Sequence, residues 1–251
     1  DAQPLVIFDF DWSLINENSD TWVIEQLRPE VRRQMAQLQQ RDPSCAASWT
    51  RLMDRSLQSL HAAGVGRSEL EACLARVPYD ADMFEAARLA HAQGCPLAIV
   101  SDANEVFIRT ILERHDMLRM FGEVHTNHAS YEDGGAGPLR VSPYVDPSAP
   151  HGCPLCPPNM CKGAIVRRIL EAHPPGRRVL YVGDGGGDFC GCLALREGDI
   201  ALAREGYPLL RKLSAAQAAG GPGAPRAVVT PWREGRAVLE TFRSAIPAAA
   251  A

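Results

Sequence analysis

Three apolar runs in this chain stop on polar groups: LVIFDFD at residues 5–11, CPLAIVSD at 95–102 and RRVLYVGD at 177–184. Short Val/Ile-rich runs separated by stretches of helical periodicity are strands buried on both faces. Strands that alternate with helices form a parallel sheet wound on both sides, and such a sheet takes its ligands beyond the carboxyl ends of its strands. Asp9/Asp11, Ser101/Asp102 and Asp184 are therefore expected along one rim.

The stretch from Asp20 to His91 is too long for a connection between two neighbouring strands. TWVIEQL, SWTRLMDRSLQSLHAAG and SELEACLARV within it carry apolar residues at three- and four-residue spacing. The expected architecture is an α/β doubly wound parallel sheet, residues 1–18 and 92–251, with an inserted α-helical cap at 19–91. GEVHTN and LRVSPY read as two short strands joined by the turn YEDGGAGP, DIALAR and RAVVT read as later strands, and AIPAAAA reads as a frayed tail. A net charge of −4 exerts no general pull on nucleic acid. No run of 18 apolar residues predicts a membrane span. The scattered cysteines are expected as reduced thiols of a cytoplasmic protein.

Residues i and i+2 of an extended strand point the same way, so Asp9 and Asp11 are expected to face one site. One carboxylate of such a pair can attack phosphorus while the other handles the proton of the leaving oxygen. A lone D-x-D serves equally well as a turn or a helix cap. The later pieces change that balance. Ser101 can donate to a phosphoryl oxygen, Lys162 can neutralise its charge, and Asp184 with Asp188 around three glycines can complete an oxygen-rich Mg²⁺ site. In-line attack, a cation and charge-neutralising donors are the needs of phosphoryl transfer. GDGGGD is not a dinucleotide fingerprint, because Asp188 stands where the third glycine belongs, and no P-loop is present.

In this order FDFDWS, VSD, MCKG and VGDGGGD resemble the motifs of the haloacid dehalogenase superfamily of aspartate-nucleophile phosphatases. The resemblance implies Asp9 as nucleophile and Asp11 as general acid and base. It implies Ser101 and Lys162 on the phosphoryl oxygens, with Ser13 keeping a hydroxyl where the family usually has threonine. It implies Mg²⁺ held by Asp9, the main-chain carbonyl of Asp11 and Asp184, with Asp188 supporting. ENSD, VSDAN, PPNMCKG, YVGDGGGDFC, GYP and TPW further resemble the phosphoethanolamine and phosphocholine phosphatase group. The expected partner is thus a small phosphorylated metabolite, phosphoethanolamine or phosphocholine, with pyrophosphate, pyridoxal phosphate and thiamine monophosphate as alternatives. A phospho-amine binding protein without catalysis would lack one of Asp9, Asp11, Lys162 and Asp184, and all four are present.

Asp20 and Asp102 place acid beside a phosphate site. That suits a substrate whose other end is a cation, and in the resembled group acidic residues at these positions are linked to the amine head group. Trp12 or Trp22 can add a cation–π face. The plainer reading makes Asp20 the cap of the helix beginning TWVIEQL, and Asp102 with Glu105 a capping box for the helix beginning ANEVF. In HGCPLCPPNMCKG, His151, Cys153, Cys156 and Cys161 form an H-x-C-x2-C-x4-C array with four ligands for structural Zn²⁺; packed thiols or a disulfide fit the same spacing. Cys190 and Cys192 are expected to be packed thiols.

Overall fold

The strand β1 (Leu5–Phe8) sends its side chains alternately into two cores. Val6 and Phe8 join one apolar cluster, Leu5 and Ile7 the other, and none of the four is more than 1% exposed. That alternation marks a central strand covered on both faces. The structure, a computed structural model, describes residues 2–248. After β1 come six helices: α1 (Ser19–Leu27), α2 (Pro29–Arg41), α3 (Pro43–Ala47), α4 (Trp49–Ala62), α5 (Arg67–Leu74) and α6 (Ala81–Ala92). The chain continues through β2 (Leu97–Asn104), α7 (Glu105–Arg114), β3 (Glu123–Tyr131), β4 (Leu139–Ser142) and α8 (Lys162–Ala172). It ends with β5 (Val179–Gly183), α9 (Asp188–Leu193), β6 (Ile200–Arg204), α10 (Pro208–Ala219), β7 (Val228–Trp232) and α11 (Gly235–Ala245).

The strands form one sheet in the order β4-β3-β2-β1-β5-β6-β7. All neighbours are parallel except the β3–β4 hairpin. The chain leaves β1 toward β2 on one side and later returns to β5 on the other. The strand order reverses there, and a crevice opens at the carboxyl ends of β1, β2 and β5. Phe84 of α6, Phe107 of α7 and Phe242 of α11 fill the core on one face; Ile165 of α8, Cys192 of α9 and Leu213 of α10 fill the other. Ile246, in the segment expected as a frayed tail, is buried in the first of these cores. Residues 249–251 of that segment lie outside the described residues.

The helices of residues 19–91 divide in two. α1–α5 pack on one another, and α4 docks on β4, where the Asp54 carboxylate accepts from Arg140 Nε at 2.8 Å and from the Val141 amide at 3.0 Å. α6 instead runs along α11. Asp80 caps α6 through the amides of Asp82 and Met83 and also accepts from the Gly235 amide at 2.7 Å. α1–α5 thus form one packed group, the proposed cap, and α6 packs with α11 on the sheet.

A Cβ on Gly235 would lie 2.3 Å from the Met83 amide nitrogen and 2.6 Å from the Asp80 carboxylate. Gly235→Ala forces α6 and α11 apart, and overpacking of this kind costs about 1–3 kcal/mol. Urea unfolding should show that loss; an unchanged midpoint would mean the two helices do not depend on this close approach.

Candidate active site

β1 stops at Phe8, and the chain leaves it through a wide turn in which the amides of Leu14 and Ile15 donate five residues back, to Asp9 and Phe10. The expectation that Asp9 and Asp11 share a face by strand alternation is thus corrected. Asp9 still pairs with the sheet, its amide donating to Val182 O at 2.8 Å, but Asp11 lies beyond the strand. Both nevertheless line one cavity, because the turn folds back over the strand end. Trp12 adopts φ 56°, an uncommon conformation for a bulky residue. Arg204 supports it: Nη1 donates to Trp12 O at 2.7 Å, and the guanidinium lies 4.9–5.9 Å from the ring centres of Trp12, Tyr207 and Trp232. GYP and TPW contribute the last two of those rings.

Lys162, the first residue of α8, is 2% exposed. Its Nζ lies 2.9 Å from Asp9 Oδ2, 2.8 Å from Asp188 Oδ1 and 3.9 Å from Asp102 Oδ2. Burial works against the ammonium, but Asp188, Asp9 and Asp102 outweigh it and hold its pKa well above the usual value. Asp188 is saturated. Oδ1 also accepts from Tyr181 Oη at 2.7 Å, and Oδ2 accepts from the amides of Asp184 and Gly185 at 3.2 and 2.8 Å. It anchors the lysine and the glycine loop together. Gly183 makes this possible, since a Cβ there would stand 2.9 Å from the Asp188 carboxylate. Asp9 Oδ1 accepts from the Phe10 amide, so the carboxylate is held at both oxygens. Ser13 Oγ donates to Asp184 Oδ1 at 3.1 Å and so orients that carboxylate. Ser101, 1% exposed at the rim of β2, lines the cavity.

Carboxylate oxygens of Asp9, Asp184 and Asp188 lie within 4.8 Å of one another. Burial and the Asp188 charge push Asp184 up to about 7, and burial, Asp188 and Asp184 push Asp9 up against the opposing pull of Lys162. A set of buried, crowded carboxylates fits a hard divalent cation that takes oxygen ligands. Asp11, whose carboxylate accepts from the Ser19 amide, stands at about 7 through burial and the Asp20 charge.

Asp20 and Asp102 reach the same cavity, of about 150 Å³, together with Trp12 and Trp49. Neither aspartate is a helix cap. Asn18 caps α1 through the Thr21 amide and Asn104 caps α7 through the Phe107 amide, while Glu105 turns to His128 and the Ala129 amide. Asp20, 4% exposed, accepts from Trp49 Nε1 at 2.7 Å, and burial pushes its carboxyl to about 7. Asp102 Oδ1 accepts from Asn159 Nδ2 at 2.7 Å. Pairing of β2 to β3 lapses between Val100 and Asn104, and Asn127 Nδ2 donates to the free carbonyls of Asp102 and Ala103 instead. Trp22 lies away from the cavity and donates to Cys73 O. Sequence reasoning missed Trp49, which arrives from the cap, and Asn127 and Asn159, although PPNMCKG contains the latter.

Of the four expected zinc ligands, the structure brings Cys153, Cys156 and Cys161 together but not His151. The His151 ring is spent on its own loop: Nδ1 accepts from the Cys153 amide at 3.0 Å and Nε2 meets Pro157 O at 2.9 Å. The fourth member of the group is Cys190 of α9, expected as a packed thiol.

Asp11, Asp20 and Asp184 stand at about 7 in the folded chain against an ordinary 3.8. Between those values the native state binds more protons than the unfolded chain, so metal-free stability falls as pH rises through that window. Mg²⁺ should restore it, and raise the melting temperature more at pH 8 than at pH 5. Calorimetry with and without Mg²⁺ checks this; a metal-free profile flat over that range would contradict it.

The "Putative Phosphatase" family model matches residues 4–246. The thiamine phosphate phosphatase-like protein of Arabidopsis thaliana is 41% identical over 218 residues, 85% of each chain. Inorganic pyrophosphatase 2 of the same plant is 37% identical over 236 residues, 92% of this chain and 79% of that one. In fold the chain is like a solved substrate-bound phosphoserine phosphatase, with a TM-score of 0.57 and 15% identity over 96% of this chain and 99% of that one. With an aspartate-rich rim on a seven-stranded α/β sheet, the chain belongs to this phosphatase family of the haloacid dehalogenase superfamily, the phosphoric monoester hydrolases.

Proposed function

We propose that this phosphatase is Mg²⁺-dependent, uses Asp9 as its nucleophile, and hydrolyses small phosphomonoesters whose other end carries a positive charge, phosphoethanolamine and phosphocholine first among them. The observation that carries this reading is the convergence of Asp11, Asp20 and Asp102 with two indoles on the cavity that also holds Asp9. Acid beside a phosphate site repels the phosphate and is favourable only if the rest of the substrate is cationic. Trp12 and Trp49 offer aromatic faces to a quaternary amine. At about 150 Å³ the cavity is smaller than the roughly 300–1,000 Å³ of pockets for drug-sized ligands, which favours a compact head group.

Asp9 attacks phosphorus in line, and the alcohol oxygen leaves with a proton from Asp11, giving an aspartyl-phosphate. Asp11 then takes a proton from water as that water attacks phosphorus, releasing phosphate and restoring Asp9. A pKa of about 7 suits Asp11 to both halves of this exchange. Lys162 and Ser101 neutralise and orient the phosphoryl oxygens. Asp9, Asp184 and the main-chain carbonyl of Asp11 would hold Mg²⁺, which supplies charge stabilisation to the phosphoryl group. Ser13 and Asp188 keep Asp184 and Lys162 in place. Free thiols at all eight cysteines fit a reducing compartment, and we assign the protein to the cytoplasm. Among the described residues no helix is long and apolar enough to cross a membrane.

The plant relatives favour a second reading. Thiamine monophosphate carries a cationic thiazolium close to its phosphate ester and suits the same acidic wall, whereas pyrophosphate needs a further cation to approach it. Phosphate release over phosphoethanolamine, phosphocholine, thiamine monophosphate, pyridoxal phosphate and pyrophosphate separates these. Asp9→Asn should abolish turnover on every substrate with an unchanged circular dichroism spectrum. Asp20→Asn and Asp102→Asn should each lower kcat/KM for cationic substrates by about 10- to 100-fold, the worth of one charge-assisted contact, and spare pyrophosphate. A pyrophosphate preference that survives both changes would remove the head-group role.

A further inference from the structure

Four thiols from three parts of the chain meet at one point below the active site. Cys153 and Cys156 come from the loop before α8, Cys161 caps α8, and Cys190 lies in α9. Their sulfur atoms all lie within 4.8 Å of one another. Cys190 Sγ is 3.7 Å from Cys153 Sγ and 3.9 Å from Cys161 Sγ. A tetrahedron with metal–sulfur bonds of about 2.3 Å has sulfur–sulfur edges of about 3.8 Å. The thiols are therefore already spaced as the corners of a tetrahedral zinc site. A disulfide requires sulfurs about 2.05 Å apart, and Cys190 stands almost equally far from two candidates for it.

Gly163 is a second, independent sign. A Cβ at that position would meet Cys190 Sγ at 2.5 Å and Cys190 O at 2.7 Å. Glycine lets α8 and α9 approach until the thiol group closes. The Ala164 amide donates to Cys161 Sγ at 3.4 Å, the kind of outer contact that orients a sulfur ligand. Cys153 and Cys156 are half-buried, which leaves a way in for an ion.

We infer that Cys153, Cys156, Cys161 and Cys190 bind one structural Zn²⁺ as a four-thiolate site, with Cys190 rather than His151 as the fourth ligand. Binding releases the thiol protons as each sulfur becomes a thiolate. The neighbouring Cys190 thiol and burial push the Cys156 thiol up, and burial pushes Cys161 up. The site clamps two elements at chosen places. Cys161 immediately precedes Lys162, and Cys190 lies two residues beyond Asp188. Zinc would thus hold together the two ends of the buried Lys162–Asp188 pair while remaining outside the reaction. The assignment rests on thiol geometry and not on the substrate reading above.

The test is metal analysis of the whole chain, purified under reducing conditions without a histidine tag. About one zinc per chain is expected in the wild type, unchanged in His151→Ala and lost in Cys190→Ser. Replacement of zinc by Co²⁺ gives an independent reading in the wild type, where thiolate-to-cobalt charge transfer and tetrahedral ligand-field bands should appear even if Cys190→Ser fails to fold. A reduced, folded wild type that holds no zinc after Zn²⁺ loading and dialysis would overturn the site. So would zinc that survives Cys190→Ser and leaves with His151→Ala. Phosphate release, measured separately with Mg²⁺, reports on the phosphatase reading whichever way the zinc result falls.

Discussion

One buried ammonium holds the reaction rim together. Lys162 lies among Asp9, Asp188 and Asp102, at the meeting of β1, β2 and α9 with its own helix. A buried charge is tolerated only when paired and hydrogen-bonded. Here the carboxylates outnumber the cation. With Asp184 beside them the site remains deficient in positive charge, and burial with the Asp188 charge pushes Asp9 and Asp184 above the ordinary carboxylate range. That deficit lies on the cavity lined by Asp9, Asp11, Asp20, Asp102 and Asp184, which is what supports the proposed divalent ion and cationic head group.

Around this pair the structure spends its amides. Asn127 replaces the sheet hydrogen bonds lost at the end of β2 and itself accepts from Asn159, which in turn grips Asp102. The same asparagines thus repair an irregular strand and aim an acidic side chain into the cavity. Glycine plays the complementary part. Gly183 and Gly163 leave room for a carboxylate and a thiol to pack where any side chain would stand. The packing of this site depends on close backbone approach at both glycines.

Helices α1–α5 meet the core where α4 lies on β4 and α5 on α7. Asp54 takes a two-nitrogen grip from Arg140 at one edge. Among α1–α5 themselves, Trp49 of α4 donates to Asp20 of α1, so an indole and a carboxylate line the cavity together.

Much of this was legible in the residues. The apolar runs ending in Asp9, Ser101 and Asp184 determined the buried strands and the rim, because period and burial are local properties of a sequence. The order of the motifs identified the chemistry. Other features were decided only by the tertiary structure. Asp11 reaches the cavity through a turn instead of strand alternation. α6 belongs with α11 because Gly235 admits it. Asp20 and Asp102 are free of capping duty because asparagines elsewhere perform it, and Cys190 replaces His151 because α9 docks on α8 while the imidazole closes its own loop. In each case the deciding contact joins parts of the molecule that periodicity cannot bring together. A sequence states which residues want burial, charge or a partner; the packing of distant elements selects which partner each one receives.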